Sequence, residues 1–328
     1  MPERAAVCMG NRTKLLRLPD RGRLLVCADL HGNLRDFLAL SAHFESLGSE
    51  GNLLLLGDLL HGPHIPLDRW PEFPGLRGRP YYDQSPAILL GLTELIARHP
   101  GRVFLLLGNH EHAHIGGPRT SRFARDEAAA LEQRLGIENS SWLSEFAAAL
   151  PLWATAPNGL LFSHAAPAAA ITDLQELEQV DYRRYSRPRS GALDAYRTPP
   201  HNDVDAQALL GQLLWNKSLP PLLAHQVLDP LGLSLCIYGH SVIPAGYQTI
   251  GAQQLILSSS FGMEDSYKKI LCLDLATKYP SVTALRLGHE IVPLYPIPSS
   301  SPVVDMPRAL PPQAVVRPNR STMPRMRA

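Results

Sequence analysis

The residues best suited to chemistry stand at the ends of apolar runs. Asp29-Leu30-His31-Gly32 closes one run, Gly57-Asp58 a second, and Gly108-Asn109-His110-Glu111 a third. Two later runs, "LLFSH" and "LCIYGH", end in His164 and His240. Carboxylate, amide and imidazole donors without a thiolate suit Mn, Fe, Zn or Mg. The set is large enough for two divalent ions if one carboxylate bridges them. Two ions about 3.5–4 Å apart clamp a phosphoryl group during in-line displacement and acidify a shared water into a nucleophile. Each piece alone is weak: a Gly-Asp after a strand is ordinarily a turn, and a single buried histidine is ordinarily packing. Recurrence of the pattern along the chain is what points to a metal site.

Such donors need a scaffold that brings strand ends to one rim. "RLLVCA", "NLLLLGD" and "RVFLLLG" read as strands buried on both faces. Between them, "NLRDFLALSAHFESLG" and "SPAILLGLTELIARHPG" have helical spacing, the second with Ser85 as expected N-cap. Strand, helix, strand, helix, strand predicts an α/β fold with parallel strands, whose ligand site lies outside the strands' carboxyl ends. Residues 59–84, rich in proline, glycine and aromatics, read as a long loop beside that site. Residues 125–150 read as helical, and "LPLWATAPNGLLFSHAAP" as a hairpin turned at Pro157-Asn158-Gly159. Further helices end at Trp215 and Leu228, and "LSLCIYGH", "GYQTIGAQQLILSSSF", "KILCLDLA" and "SVTALRLG" read as strands.

The chain of 328 residues has a net charge of +1, 45% hydrophobic and 19% charged residues. That balance gives no broad field for nucleic acid or an anionic membrane. No apolar run is long enough for a membrane helix, and the N-terminal stretch lacks the apolar core of a secretory signal. Cys8, Cys27, Cys236 and Cys272 form no C-x-x-C pair and read as free thiols, so a cytoplasmic location is expected. The expected organisation is an extension over 1–22, a catalytic domain over 23–297 and a disordered Pro/Ser/Arg-rich tail over 298–328.

The order D-x-H, G-D, G-N-H-E, H, G-H resembles the calcineurin-like metallophosphoesterases. More narrowly it resembles the phosphoprotein (serine/threonine) phosphatases, as a divergent bacterial-type member. "FSHAAP", "LEQVDYRRYSRP", "LLWNKS", "GHSVIPAGY" and "LILSSSFGMED" carry the narrower resemblance, which spans roughly residues 23–290. It implies two packed mixed β-sheets flanked by helices, an αββα sandwich. It implies that Asp29 and His31 hold one ion, Asp58 bridges, and Asn109, His164 and His240 hold the second, with manganese favoured. His110 is then the general acid or a phosphate donor. The implied partner is a phosphoprotein, or alternatively a small phosphorylated compound such as a dinucleoside polyphosphate. A third reading is a metal-binding protein without turnover.

The chain departs from the family's G-D-x-V-D-R-G, reading Gly57-Asp58-Leu59-Leu60-His61-Gly62-Pro63. His61 stands where an aspartate orients the catalytic histidine, and Gly62 where an arginine grips phosphate. Leu107 replaces the arginine before G-N-H-E, and the segment after "LLWNKS" is short. Arg119, Arg122, Arg125, Arg183, Arg184 and Arg187 are candidate replacements. His61 is either a phosphate donor or a loop residue; His112 and His114 are expected to support the site or face solvent.

Overall fold

The structure, a computed structural model, describes residues 13–122, 126–168, 171, 173–182 and 206–295. Two mixed sheets pack face to face, as the αββα expectation requires. The first contains β1 (Leu15–Arg17), β5 (Trp153–Ala156), β6 (Leu160–Ser163), β7 (Leu235–Tyr238), β9 (Gln254–Leu257) and β8 (Tyr247–Ile250), in that spatial order. The second runs β11 (Ile291–Pro293), β10 (Lys269–Asp274), β2 (Arg23–Cys27), β3 (Gly51–Leu55), β4 (Val103–Leu105). β2, β3 and β4 are mutually parallel, as the strand–helix alternation predicts, and β10 pairs antiparallel to β2.

Alternation along β2 divides the core. Leu24 and Val26 face the other sheet and join Leu54, Phe162, Ile237, Leu255 and Leu271 in the inner layer. Leu25 and Cys27 face outward and pack with Phe37, Leu40 and Leu92 of α1 (Leu34–Ser46) and α2 (Ser85–Arg98). Burial on both faces is why these strands read as continuous apolar runs. Among the described residues the remaining α-helices are α3 (Asn109–His112), α4 (Glu127–Ala148), α5 (Ala206–Trp215) and α6 (Pro221–Leu228).

Several expectations are corrected. Ser85 is the first residue of α2, preceded by Gln84 as cap. The Asp83 carboxylate accepts from the Ser85 N–H instead, and the Ser85 hydroxyl is free to accept from the His61 N–H at 3.0 Å. The helix expected over 125–150 is two runs broken at Gly136, whose φ is 75°. "SVTALRLG" is a 3₁₀ turn over Val282–Ala284, because its buried residues Val282 and Leu285 are three apart, not two. β1 lies inside the stretch expected to be an N-terminal extension and pairs with β5. Cys27, Cys236 and Cys272 are free; Cys8 and the tail from 298 lie outside the described residues. No described helix is long and apolar enough to cross a membrane.

Candidate metal centre

Asp29, Asp58, Asn109, His164 and His240 stand just beyond the carboxyl ends of β2, β3, β4, β6 and β7, so both sheets deliver donors to one rim. The backbone bends sharply there. Among the described residues, the non-glycine positions with positive φ are Asp29 (52°), His31 (44°), Asp58 (53°), His61 (64°) and His240 (65°). All five belong to the cluster, so the left-handed strain of this fold is concentrated where the donors turn inward. Close approach also dictates glycine. A Cβ on Gly57 would lie 2.7 Å from the Gly108 backbone, and one on Gly108 would lie 2.3 Å from Asp58 Oδ1.

Asp58 occupies the centre. Its Oδ2 is 3.7 Å from His31 Nε2, 4.0 Å from His110 Nε2 and 3.4 Å from His164 Nε2. It belongs to two triads of donor atoms, one with His31 and His110 and one with His164 and His240. Asn109 Oδ1 is 2.9 Å from His164 Nε2. Asp29 reaches across the sheets, its carboxylate accepting from the His240 N–H at 3.0 Å. Thus the predicted ligands Asp29, His31, Asp58, Asn109, His164 and His240 are all brought together.

The imidazoles are oriented from behind. His31 Nδ1 donates to the Leu60 carbonyl at 3.2 Å and His164 Nδ1 to the Leu56 carbonyl at 2.9 Å. Since a carbonyl only accepts, the Nε2 of each ring faces the cluster. The Trp215 ring stands edge-on to His240 at 5.8 Å, which gives the tryptophan motif its place.

The electrostatics are those of a cation site. Burial pushes the Asp29 carboxyl up to about 8, with Asp58 adding to the rise against His164. Burial also works against the charged form of Asp58, but His164, His110 and His31 outweigh it and hold this carboxyl well below its usual range. His164 reaches about 9 because Asp58 and Asp29 overcome its burial. Burial lowers His31 to about 4, His110 to about 3 and, although this residue is partly open to solvent, His240 to about 3. The site therefore keeps His31, His110 and His240 neutral and His164 protonated around two crowded carboxyls. Its oxygen and nitrogen donors, without sulfur, fit divalent cations of the Mn, Fe, Zn and Mg group.

Several contributors carry no motif of their own. Glu111 accepts from the backbone N–H groups of Asp58 (2.8 Å), Leu59 (2.9 Å) and Gly108 (3.2 Å), locking two strand ends together. Asp83 accepts from the Gly62 N–H at 3.0 Å and from Arg134, bracing the loop after His61. His61 is buried with Nδ1 3.0 Å from His110 Nδ1, not open as a loop residue. His112 and His114 are also buried, which removes the solvent-facing alternative for them. Their spacing from Asn109 along α3 and the turn after it was the available signal.

Of the candidate arginines, Arg119 is engaged by Asp126 and Glu132. Arg122 is exposed and lies 4.8 Å over the Phe261 ring, which itself packs 4.5 Å from His31. Its charge is close enough to help lower both His31 and His110. Exposed Lys217 acts on His240 in the same way. Arg125, Arg183, Arg184 and Arg187 lie outside the described residues.

Comparison with known proteins agrees with this geometry. A family profile described as calcineurin-like phosphoesterase matches residues 22–244. The chain is 25% identical over 275 residues to the serine/threonine-protein phosphatase PP2A-like PPG1 of Candida albicans, covering 81% of this chain and 55% of the relative. It thus spans about half the length of that curated relative. Among solved structures, it resembles a Saccharomyces cerevisiae protein serine/threonine phosphatase with similarity to human phosphatase PP5. That match has a TM-score of 0.50 and 19% identity, covering 80% of this chain and 76% of the other. It also resembles a cold-active protein-tyrosine phosphatase of a Shewanella species, with a TM-score of 0.54 and 13% identity over 81% and 79% of the chains. At these identities the structural likeness concerns the fold.

Proposed function

The chain belongs to the calcineurin-like phosphoesterase family, and on that premise we propose that it is a metal-dependent phosphomonoesterase acting on phosphoserine or phosphothreonine. The observation that carries this reading is the position of Asp58, which belongs to two triads of donors. Asp29 and His31 would hold one ion and Asn109, His164 and His240 the other, with Asp58 serving both and manganese the favoured metal. When bound, such ions neutralise phosphoryl oxygens and acidify water near neutral pH.

The chain's own residues do the rest. His110 sits at the start of α3 with Nε2 toward Asp58 Oδ2 at 4.0 Å, and gives its proton to the oxygen that leaves phosphorus. Arg122, held over Phe261, takes the place of the family's missing phosphate-gripping arginines, with Lys217 as a second cation near His240. His61 does not reach phosphate: both its ring nitrogens are engaged behind His110. The catalytic domain is residues 23–297 with β1 added to it, acting in the cytoplasm on a phosphoprotein.

The test is hydrolysis of a phosphoserine peptide against diadenosine tetraphosphate, both with Mn²⁺ and beside Asp58→Asn. Turnover of the peptide that disappears in Asp58→Asn is expected. Faster turnover of the nucleotide would replace this reading with a small-phosphate hydrolase. Equal rates in both proteins would leave a metal binder.

A further inference from the structure

Behind His110, imidazoles form an unbroken row that ends at a half-buried carboxylate. His110 Nδ1 is 3.0 Å from His61 Nδ1, His61 Nε2 is 2.9 Å from His114 Nε2, and His114 Nδ1 is 3.0 Å from Glu132 Oε1. Glu132 also accepts from Arg119 Nη2 at 3.0 and 3.1 Å. The direction of this row follows from elementary chemistry. A carboxylate only accepts, so His114 donates from Nδ1. A neutral ring that donates from one nitrogen accepts at the other. His114 Nε2 therefore accepts from His61 Nε2–H, and His61 Nδ1 accepts from His110 Nδ1–H. His110 is left with Nε2 as the basic nitrogen, on the side facing Asp58. The opposite order would set a lone pair of His114 against the Glu132 oxygen.

The surroundings support neutral rings. Burial lowers His61 well below its usual range and lowers His114 as well. Glu127, whose Oε2 is 3.6 Å from His110 Nδ1, is beyond hydrogen-bond range and accepts from the Thr120 hydroxyl.

We propose that His61, His114 and Glu132 are a positioning relay that fixes the tautomer and tilt of His110, doing through three side chains what one carboxylate at the position of His61 would do directly. The geometry stands alone; its catalytic consequence rests on the phosphatase reading. With Nδ1–H held in the row, Nε2 stays the nitrogen that takes up a proton and passes it to the leaving oxygen; in the other tautomer the proton at Nε2 could leave only by making an imidazolate. Loss of the carboxylate anchor should therefore be felt in kcat, and most strongly when the leaving oxygen needs protonation.

The experiment is a double-mutant cycle with Glu132→Leu and His61→Asp, assayed on phenyl phosphate and para-nitrophenyl phosphate. Glu132→Leu is expected to lower kcat on phenyl phosphate about tenfold, with a smaller loss on the nitrophenyl ester and an unchanged KM. In the His61→Asp background, where a carboxylate meets His110 directly, Glu132→Leu is expected to change kcat by less than about twofold. Equal losses in both backgrounds, or no loss in either, would overturn the relay. Should His61→Asp fail to fold, nuclear magnetic resonance of isotope-labelled histidine rings in the zinc-loaded chain decides. A proton on His110 Nδ1 that becomes mixed between the two nitrogens in Glu132→Leu supports the relay; a proton fixed on Nε2 refutes it. That spectrum needs no turnover, so an inactive enzyme would sink the phosphatase reading and leave this inference to be judged by itself.

Discussion

The rim of strand ends and the flank behind His110 lie side by side but are built by different means. On the rim, the donors follow the strands of two packed sheets, and the backbone bends left-handed at Asp29, His31, Asp58 and His240. On the flank, His61 sits in a loop, His114 in a 3₁₀ turn and Glu132 on a helix that breaks at Gly136. The rim carries the residues that the resemblance implies as ligands; on the flank, His61 and Gly62 stand where it implies an aspartate and an arginine. The lesson is that the ends of packed strands fix where the donors stand, whereas loops and an adjoining helix can rewire what lies behind His110 without moving those donors.

Substitutions can break that division. The largest effect is expected from Asp58→Asn, which should bring activity to background and reduce bound metal, as measured by elemental analysis; full metal retention would show that Asp58 is not a ligand. Next, His110→Gln should lower kcat about 10²–10⁴-fold while metal content stays at the wild-type level. Metal lost together with activity would erase the distinction between rim and flank. Arg122→Ala should be milder, raising KM roughly tenfold, the low end for a hydrogen bond to a charged group, since its guanidinium is exposed. An unchanged KM would send the search to the arginines of 183–187.

The smallest and most graded effect is on stability without metal. His31, His61, His110, His112 and His240 are all held below their free values, mainly by burial. As pH falls below about 6.5 the unfolded chain therefore binds protons first, and stability falls. The raised carboxyls of Asp29 and Glu111 oppose this but are fewer. Above about 6.5 the sign reverses. His164, raised to about 9, and the two carboxyls then lose protons more readily in the unfolded chain, so stability falls again. Thermal melts of the metal-free chain should peak near pH 6.5. Added metal should remove the alkaline decline, because a cation replaces the His164 proton and favours the Asp29 carboxylate. A melting temperature independent of pH would contradict these assignments.

The parallel core, the hairpin at Pro157-Asn158-Gly159 and the convergence of Asp29, His31, Asp58, Asn109, His164 and His240 were legible because each combines an apolar run with a change of residue type at its end. β1 and β11 were not: strands of three residues at sheet edges carry too little periodicity. Nor could Glu111 be read as a clamp, since its partners are backbone groups 51–53 positions away. The contact of Glu132 with His114 joins residues 18 positions apart, and the loop path between them is what brings it about. No local spacing encodes that path.

The left-handed bends at Asp29, His31, Asp58, His61 and His240 cost about 1–3 kcal/mol each. A selection for heat resistance alone would be drawn to these five positions, where glycine would relieve the bend. Every such improvement would delete a donor or a relay member. Toughness and turnover compete on this rim, so a hardier form of the protein must find its gains in the sandwich below.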